Sequence, residues 1–175
     1  MSENKWWQTE KNDSVATKRS LWEPIAERIG GFDLDPAAGC EPTPIAAERY
    51  TPADDGLIQP WYGTVWLNPP FSEKSEWYRR LVDQYWNGDV KRAVSLAKVD
   101  TSTDWFQNWF STADVICFLD GRDWYIAAGT SPTFGTMVGV WNPTPDVVDW
   151  LETIGTVVEP EKTEQQTALC GVLND

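Results

Sequence analysis

Asn68, Pro69, Pro70 and Phe71 are the residues of this chain best suited to chemistry. They close the apolar run Val65-Trp66-Leu67. Each proline pushes the residue before it into extended backbone and withholds an N–H from any sheet ladder. The strand must therefore leave its sheet stiffly at Asn68, and in open α/β sheets ligands bind at such strand ends. An Asn carboxamide oxygen and the carbonyl of the next residue, Pro69, can both accept hydrogen bonds from one amino group. Held that way, an amino nitrogen conjugated to a ring is drawn toward tetrahedral geometry, and its freed lone pair can attack an electrophilic methyl group. Phe71 offers a face for a base lifted out of a duplex, at about 1–3 kcal/mol per stacked base. The alternative for the same four residues is a strand-terminating turn with the aromatic packed inward.

Those residues need a frame. Phe32-Asp33-Leu34-Asp35-Pro36 reads as a second short strand ending in proline. Thr17 to Ile29 places Leu21, Ile25, Arg28 and Ile29 at helical spacing, with Gly30-Gly31 as the stop. Ala37 to Leu57 holds too much Pro and Gly for one regular element and reads as loop, with a helical turn around Ile45 to Arg49. After the strand, Ser72 is a candidate N-cap for an amphipathic helix that turns Trp77, Leu81 and Tyr85 inward. Arg92–Ala97 and Asp114–Leu119 read as buried strands, Asp100–Thr112 as a capped helix and Pro145–Gly155 as the last helix. Arg122–Ala127 and Thr136–Trp141 read as two further strands joined by a Gly/Ser/Pro loop. Strands alternating with helices predict an α/β fold, with a mostly parallel sheet flanked by helices and an antiparallel finish. Residues 1–16 read as a polar arm, 17–158 as one domain and 159–175 as a tail without periodicity.

Composition narrows the chemistry. The 175 residues include no histidine, so any reaction here runs without the commonest general base and metal ligand. Cys40, Cys117 and Cys170 are odd in number and widely spaced, which argues against a disulfide framework and a zinc site; no metal is expected. The polar start and the lack of a membrane-length apolar run predict neither a secretory signal nor a membrane span, and place the chain in the cytoplasm. With 27 acidic against 14 basic residues the net charge is −13. Such acidity either excludes a nucleic-acid partner or marks adaptation to concentrated salt, where repulsion from phosphate is screened. Most of the twelve tryptophans are expected in the core, with Trp6 and Trp7 docked on the body.

Taken in order, Phe32–Gly39 (FDLDPAAG), Arg49–Leu57 (RYTPADDGL), a W-x-G ahead of VWLNPPF, DTSTDWF and GRDWYI resemble the phage-type DNA N-6-adenine methyltransferases related to the Dam group, from about Ser20 to Trp141. The resemblance implies a Rossmann-like class I fold that binds S-adenosylmethionine and methylates the exocyclic amino group of a flipped-out adenine in double-stranded DNA. On it, Asn68, Pro69, Pro70 and Phe71 match the catalytic (D/N)PP(Y/F) motif. Asp35, Pro36, Ala37 and Gly39 fall where such enzymes approach the methionine part of the cofactor, small residues admitting the backbone and an acid pairing the ammonium group. Asp54 and Asp55 follow at the separation from which an acid reaches a ribose hydroxyl, Asp55 being favoured because it opens the DGL pattern.

Arg79, Arg80, Lys91, Arg92, Lys98 and Arg122 remain as basic groups for a phosphate-contacting face. Target choice would fall to loops such as 40–62 and 126–136. Acidity and resemblance together imply a virus or mobile element of a salt-loving host. The chain departs from the family where Lys18 follows Thr17 in place of a proline, and where Lys98 stands near Asp100 in place of an arginine. Two rivals stand beside this: a methyltransferase with an RNA or protein glutamine acceptor, and a non-catalytic binding module that kept the fold.

Overall fold

The strand-type runs of the sequence assemble into one sheet. The computed structural model describes residues 15–39, 42–126 and 132–164. Its strands are β1 (Phe32–Asp35), β2 (Ala46–Arg49), β3 (Gly63–Leu67), β4 (Val90–Lys98), β5 (Val115–Leu119), β6 (Thr136–Trp141) and β7 (Gly155–Val158). Their spatial order is β2-β1-β3-β4-β6-β5-β7. Strands β2, β1, β3 and β4 are parallel, whereas β6 runs antiparallel to β4 and β5, and β7 antiparallel to β5. The parallel body with an antiparallel finish agrees with the expected pattern. Because β1 has β2 on one side and β3 on the other, the connections diverge there and a crevice opens beyond the strands' carboxyl ends.

Helices cover both faces. α1 (Arg19–Ile29) and α4 (Pro145–Glu152) pack Leu21, Trp22, Ile25, Val147 and Leu151 onto Trp66, Val94, Leu96, Val138 and Val140. α2 (Lys74–Trp86) and the short α3 (Asp104–Asn108) set Trp77, Tyr78, Leu81 and Trp105 against Val65, Leu67, Ala93, Ala97 and Met137. The two-residue period of β4 thus sends large side chains to one face and Ala93, Ser95 and Ala97 to the other. Small residues make room for rings: Tyr78 stacks on Trp105 at 5.3 Å and meets Phe110 edge-on at 5.2 Å. A Cβ on Gly139 would stand 2.8 Å from Phe110 Cζ. The described tryptophans pack as expected, with Trp61, Trp66 and Trp141 fully buried and none exposed; Trp6 and Trp7 lie outside the described residues.

Local rules set the ends. Gly30 and Gly31, at φ +83° and +95°, stop α1 by donating back to the Ala26 carbonyl. Thr144 caps α4, accepting from the Val147 N–H at 3.3 Å, with Pro145 in the first turn. Ser95 Oγ donates to the Leu67 carbonyl at 2.7 Å and lies 3.0 Å from the Tyr78 hydroxyl, so a buried polar chain braces the last residue of β3. Burial pushes the Tyr78 phenol well above its ordinary pKa, which keeps it a neutral donor.

Four expectations are corrected. Ile45–Arg49 is no helical turn: Ala46–Arg49 is β2, because the open edge of β1 offers a ladder that outweighs the helix propensity of Ala-Ala-Glu-Arg. Ser72 is exposed and α2 begins later, with Glu73 at the cap position. Within the described residues Arg122–Ile126 is not a strand; Tyr125 makes one isolated antiparallel bridge to Thr17. β7 follows α4 immediately as a four-residue edge too short to show a period. Cys40, Cys170, residues 127–131 and the tail from 165 lie outside the described residues.

Ser95→Ala removes the side-chain hydroxyl that bridges Tyr78 to Leu67, and should cost about 1–3 kcal/mol for the buried polar groups left behind. Urea unfolding measures it; an unchanged midpoint would contradict the bracing role.

Candidate functional site

β1 ends at Asp35, which is buried, with its Oδ1 accepting from the Ala37 N–H at 3.1 Å. This closes a tight turn through Pro36. The same turn is stitched to the end of β2: the Tyr50 N–H donates to the Asp35 carbonyl at 2.9 Å, and the Ala38 N–H to the Tyr50 carbonyl at 3.0 Å. Beyond Tyr50, Asp54 caps its own loop by accepting from the Thr51 N–H and hydroxyl, bonds that hold its carboxyl below the ordinary range. Asp55 adopts φ +53° and accepts from the Leu57 N–H at 3.3 Å. Gly56 then passes so close to the β1 turn that a Cβ there would lie 2.0 Å from the Pro36 carbonyl oxygen. Only glycine lets these two segments meet.

Between the segments is a cavity of about 450 Å³, within the range of small-molecule sites. Pro36, Ala37 and Gly39 line it after β1, Tyr50–Pro52 and Asp55–Leu57 after β2, and Pro70, Glu73, Glu76 and Trp77 around the start of α2. Among the described residues, Asp55, Glu73 and Glu76 give it three carboxylates and no lining side chain is basic, so it favours a cationic occupant. A sulfonium carrying an ammonium group fits that lining. Of the acids expected from sequence, Asp55 lines the cavity, whereas Asp35 and Asp54 are not in its lining and each accepts bonds within a turn that shapes it.

Asn68 leaves β3 beside this cavity. It is 7% exposed, and its Nδ2 donates to the Val15 carbonyl at 2.7 Å and to Thr17 Oγ1 at 3.2 Å. Residues 15–18 are in turn held by the segment after β5: the Lys18 N–H donates to the Trp124 carbonyl at 3.0 Å and the Ile126 N–H to the Ala16 carbonyl at 2.7 Å. Pro69 is buried. Phe71, exposed-looking in the sequence, is half-buried, edge-on to Tyr125 at 6.0 Å and Phe134 at 6.1 Å. Lys74 is a buried cation with Nζ 4.9 Å from the Phe71 ring centroid and 4.6 Å from that of Trp105. Such placement stabilises a desolvated ammonium group against the rings' negative faces.

The basic residues separate by position. Lys98 ends β4 on the Asn68 side, with Nζ 5.4 Å from the Phe134 centroid, and Arg122 is exposed in the turn after β5 at the same end. Arg79 is exposed on α2, while Arg80 donates to the Gln59 carbonyl at 2.7 Å and braces that loop. Lys91 and Arg92 begin β4, at the opposite end of the sheet, where Arg92 donates to the Asn142 carbonyl at 2.6 Å. They are corrected out of the phosphate-facing set. Sequence reading missed Val15, Lys74, Glu73, Glu76, Tyr125 and Phe134. Only Glu73, Glu76 and Lys74 carried a signal, since they open the helix that follows Phe71.

Among the described residues no group of His, Cys, Asp and Glu is placed to hold a metal, and no helix is long and apolar enough to cross a membrane. No solved structure matches the chain. A curated relative, the DNA N-6-adenine-methyltransferase of Escherichia phage T1, is 27% identical over 111 residues, which cover 62% of this chain and 45% of the relative. The chain thus matches under half of that relative's length. The family model described as DNA N-6-adenine-methyltransferase (Dam) matches residues 5–139, a span that takes in the β1 turn, the carboxylate-lined cavity, Asn68 to Phe71 and the segment that anchors Asn68. By that match over most of its length, the chain belongs to the Dam family of DNA N-6-adenine-methyltransferases.

Proposed function

We propose that this chain transfers a methyl group from S-adenosylmethionine to the exocyclic amino group of an adenine flipped out of double-stranded DNA. The observation that carries the proposal is the junction at Pro70, which lines the acid-rich cavity two residues after Asn68. Donor and acceptor sites are thereby neighbours. Further support comes from a strand order that reverses beside β1, as in Rossmann-like methyltransferase sheets, and from membership of the Dam family.

When bound, S-adenosylmethionine supplies an electrophilic methyl group on a positively charged sulfonium. Asp55, Glu73 and Glu76, which line the cavity, favour that charge; in this reading Asp55 accepts from a hydroxyl of the ribose, and Pro36, Ala37 and Gly39 let backbone approach the ligand. Asn68 Oδ1 and the Pro69 carbonyl accept the two N–H bonds of the adenine amino group and keep its lone pair toward the methyl. Phe71, fixed by Tyr125 and Phe134, gives the base an aromatic neighbour. Alignment of the two reactants supplies most of the rate. Of the basic residues expected at phosphate, Lys98, Arg122 and Arg79 are left, few against a net charge of −13, so the electrostatic share of DNA affinity is small and the protein suits a high-salt cytoplasm.

The test is a methyl-transfer assay with labelled S-adenosylmethionine on unmethylated duplex DNA, at low and at molar potassium chloride, with the product nucleosides separated by mass. Methylated adenosine is expected, with activity persisting in molar salt. Label absent from DNA despite cofactor binding would overturn the acceptor and favour RNA or protein glutamine, and a steep loss with salt would sink the halophilic adaptation.

Two variants sharpen the assignment. Asn68→Ala should lower kcat about a hundredfold or more, the scale of losing one preorganised hydrogen-bond partner at a reacting centre, with cofactor affinity retained. Loss of cofactor binding instead would mean that the two sites are misassigned. Gly56→Ala forces the β1 turn away from the 51–57 loop and should weaken cofactor binding about tenfold, equivalent to about 1.4 kcal/mol; calorimetric titration reads it, and unaltered affinity would place the cofactor elsewhere.

A further inference from the structure

The Asn68 carboxamide has two ends of nearly equal shape and opposite hydrogen-bonding character. Only one orientation leaves an acceptor free for a substrate amino group. Rotated by half a turn, it would present Nδ2, and donor would face donor. A side chain at the end of a strand has no intrinsic reason to prefer either orientation, so something outside β3 must choose.

The choice is visible in the contacts. The Val15 carbonyl, 2.7 Å from the carboxamide, can only accept, so the atom facing it must be Nδ2. Thr17 Oγ1, at 3.2 Å, takes a second bond from the same nitrogen. Thr17 is 1% exposed and cannot drift, because its backbone is bridged to Tyr125 and its neighbours are bonded to Trp124 and Ile126. With Nδ2 occupied on this side, Oδ1 is turned the other way.

We propose that Thr17, together with the Val15 backbone carbonyl, is a positioning residue that fixes the Asn68 carboxamide with Oδ1 presented as acceptor. This rests on the methyl-transfer role given to Asn68 above. Thr17 touches neither reacting group; it acts through Asn68. A corollary concerns Asn68→Asp, nearly isosteric and still an acceptor. A carboxylate there would set oxygen against the Val15 carbonyl oxygen, so this chain needs the amide although the family motif admits either residue.

The test compares Thr17→Val, which keeps the shape and removes the hydroxyl, with Thr17→Ser, which keeps the hydroxyl. The Asn68 side-chain amide protons are assigned in a 15N-labelled protein by their absence in Asn68→Ala, and their hydrogen exchange is followed beside methyl-transfer kinetics and cofactor affinity. Slow exchange of both protons is expected in the parent chain. Thr17→Val should lose that protection for one proton and drop kcat about tenfold to a hundredfold, as expected for a misaligned reacting partner, with cofactor affinity unchanged. Thr17→Ser should restore both, and Asn68→Asp should turn over poorly at unchanged cofactor affinity. Fast exchange in the parent chain, or Thr17→Val exchanging and turning over like the parent, would overturn the positioning role, as would Asn68→Asp with parental kcat. If the parent chain methylates no DNA, the methyl-transfer proposal fails on its own account, and exchange still decides whether Val15 and Thr17 hold the amide.

Discussion

β3 cannot continue past Leu67, because two consecutive prolines have no N–H to give a ladder and hold the chain extended. Everything at the site follows from where that strand is forced to stop. Its last carbonyl is bonded from beneath by Ser95, which in turn meets Tyr78 of the helix that follows, so strand, neighbouring strand and helix are tied at one point. Pro70 then reaches the cavity while Asn68 stays buried at the carboxyl end of this central strand. A flexible exit from β3 would separate these two positions.

The acid-lined cavity and the basic residues occupy different parts of the carboxyl edge. Asp55, Glu73 and Glu76 gather on the β1 and β2 side of Pro70, whereas Lys98 ends β4 and Arg122 follows β5. In a chain of net charge −13 this separation matters more than the total. Lys74 stands between the two regions, buried against Phe71 and Trp105.

Much of this was legible in the sequence. Strands of buried apolar residues such as Val65-Trp66-Leu67 and helices with clear stops, such as the one ending at Gly30-Gly31, follow from pattern and backbone preference alone. The exit of β3 at Asn68 was legible because two prolines cannot join a sheet ladder. What stayed hidden depends on partners distant in sequence. Ala46–Arg49 looks helical until the edge of β1 is there to pair with it. Lys91, Arg92 and Lys98 look like one basic group until a nine-residue strand carries the last away from the first two. Asp35 and Asp54 also close turns through one oxygen each, bonds that depend on backbone geometry the sequence does not display. Thr17 offered nothing in its own neighbourhood to connect it with Asn68, 51 positions away.

The strap formed by residues 15–18 has a consequence for the order in which the molecule is completed. It bonds to Asn68 across 53 positions and to Tyr125 across more than half the chain, far beyond the spacing of the parallel neighbours β3 and β4. Closing such long loops is slow relative to forming local helix and sheet contacts. During synthesis the strap emerges well before the segment after β5 and must wait for it before it can dock. The sheet can therefore collapse around Trp66 and Leu67 while the carboxamide beside them is still free to rotate, and competence arrives as a late event, after compactness.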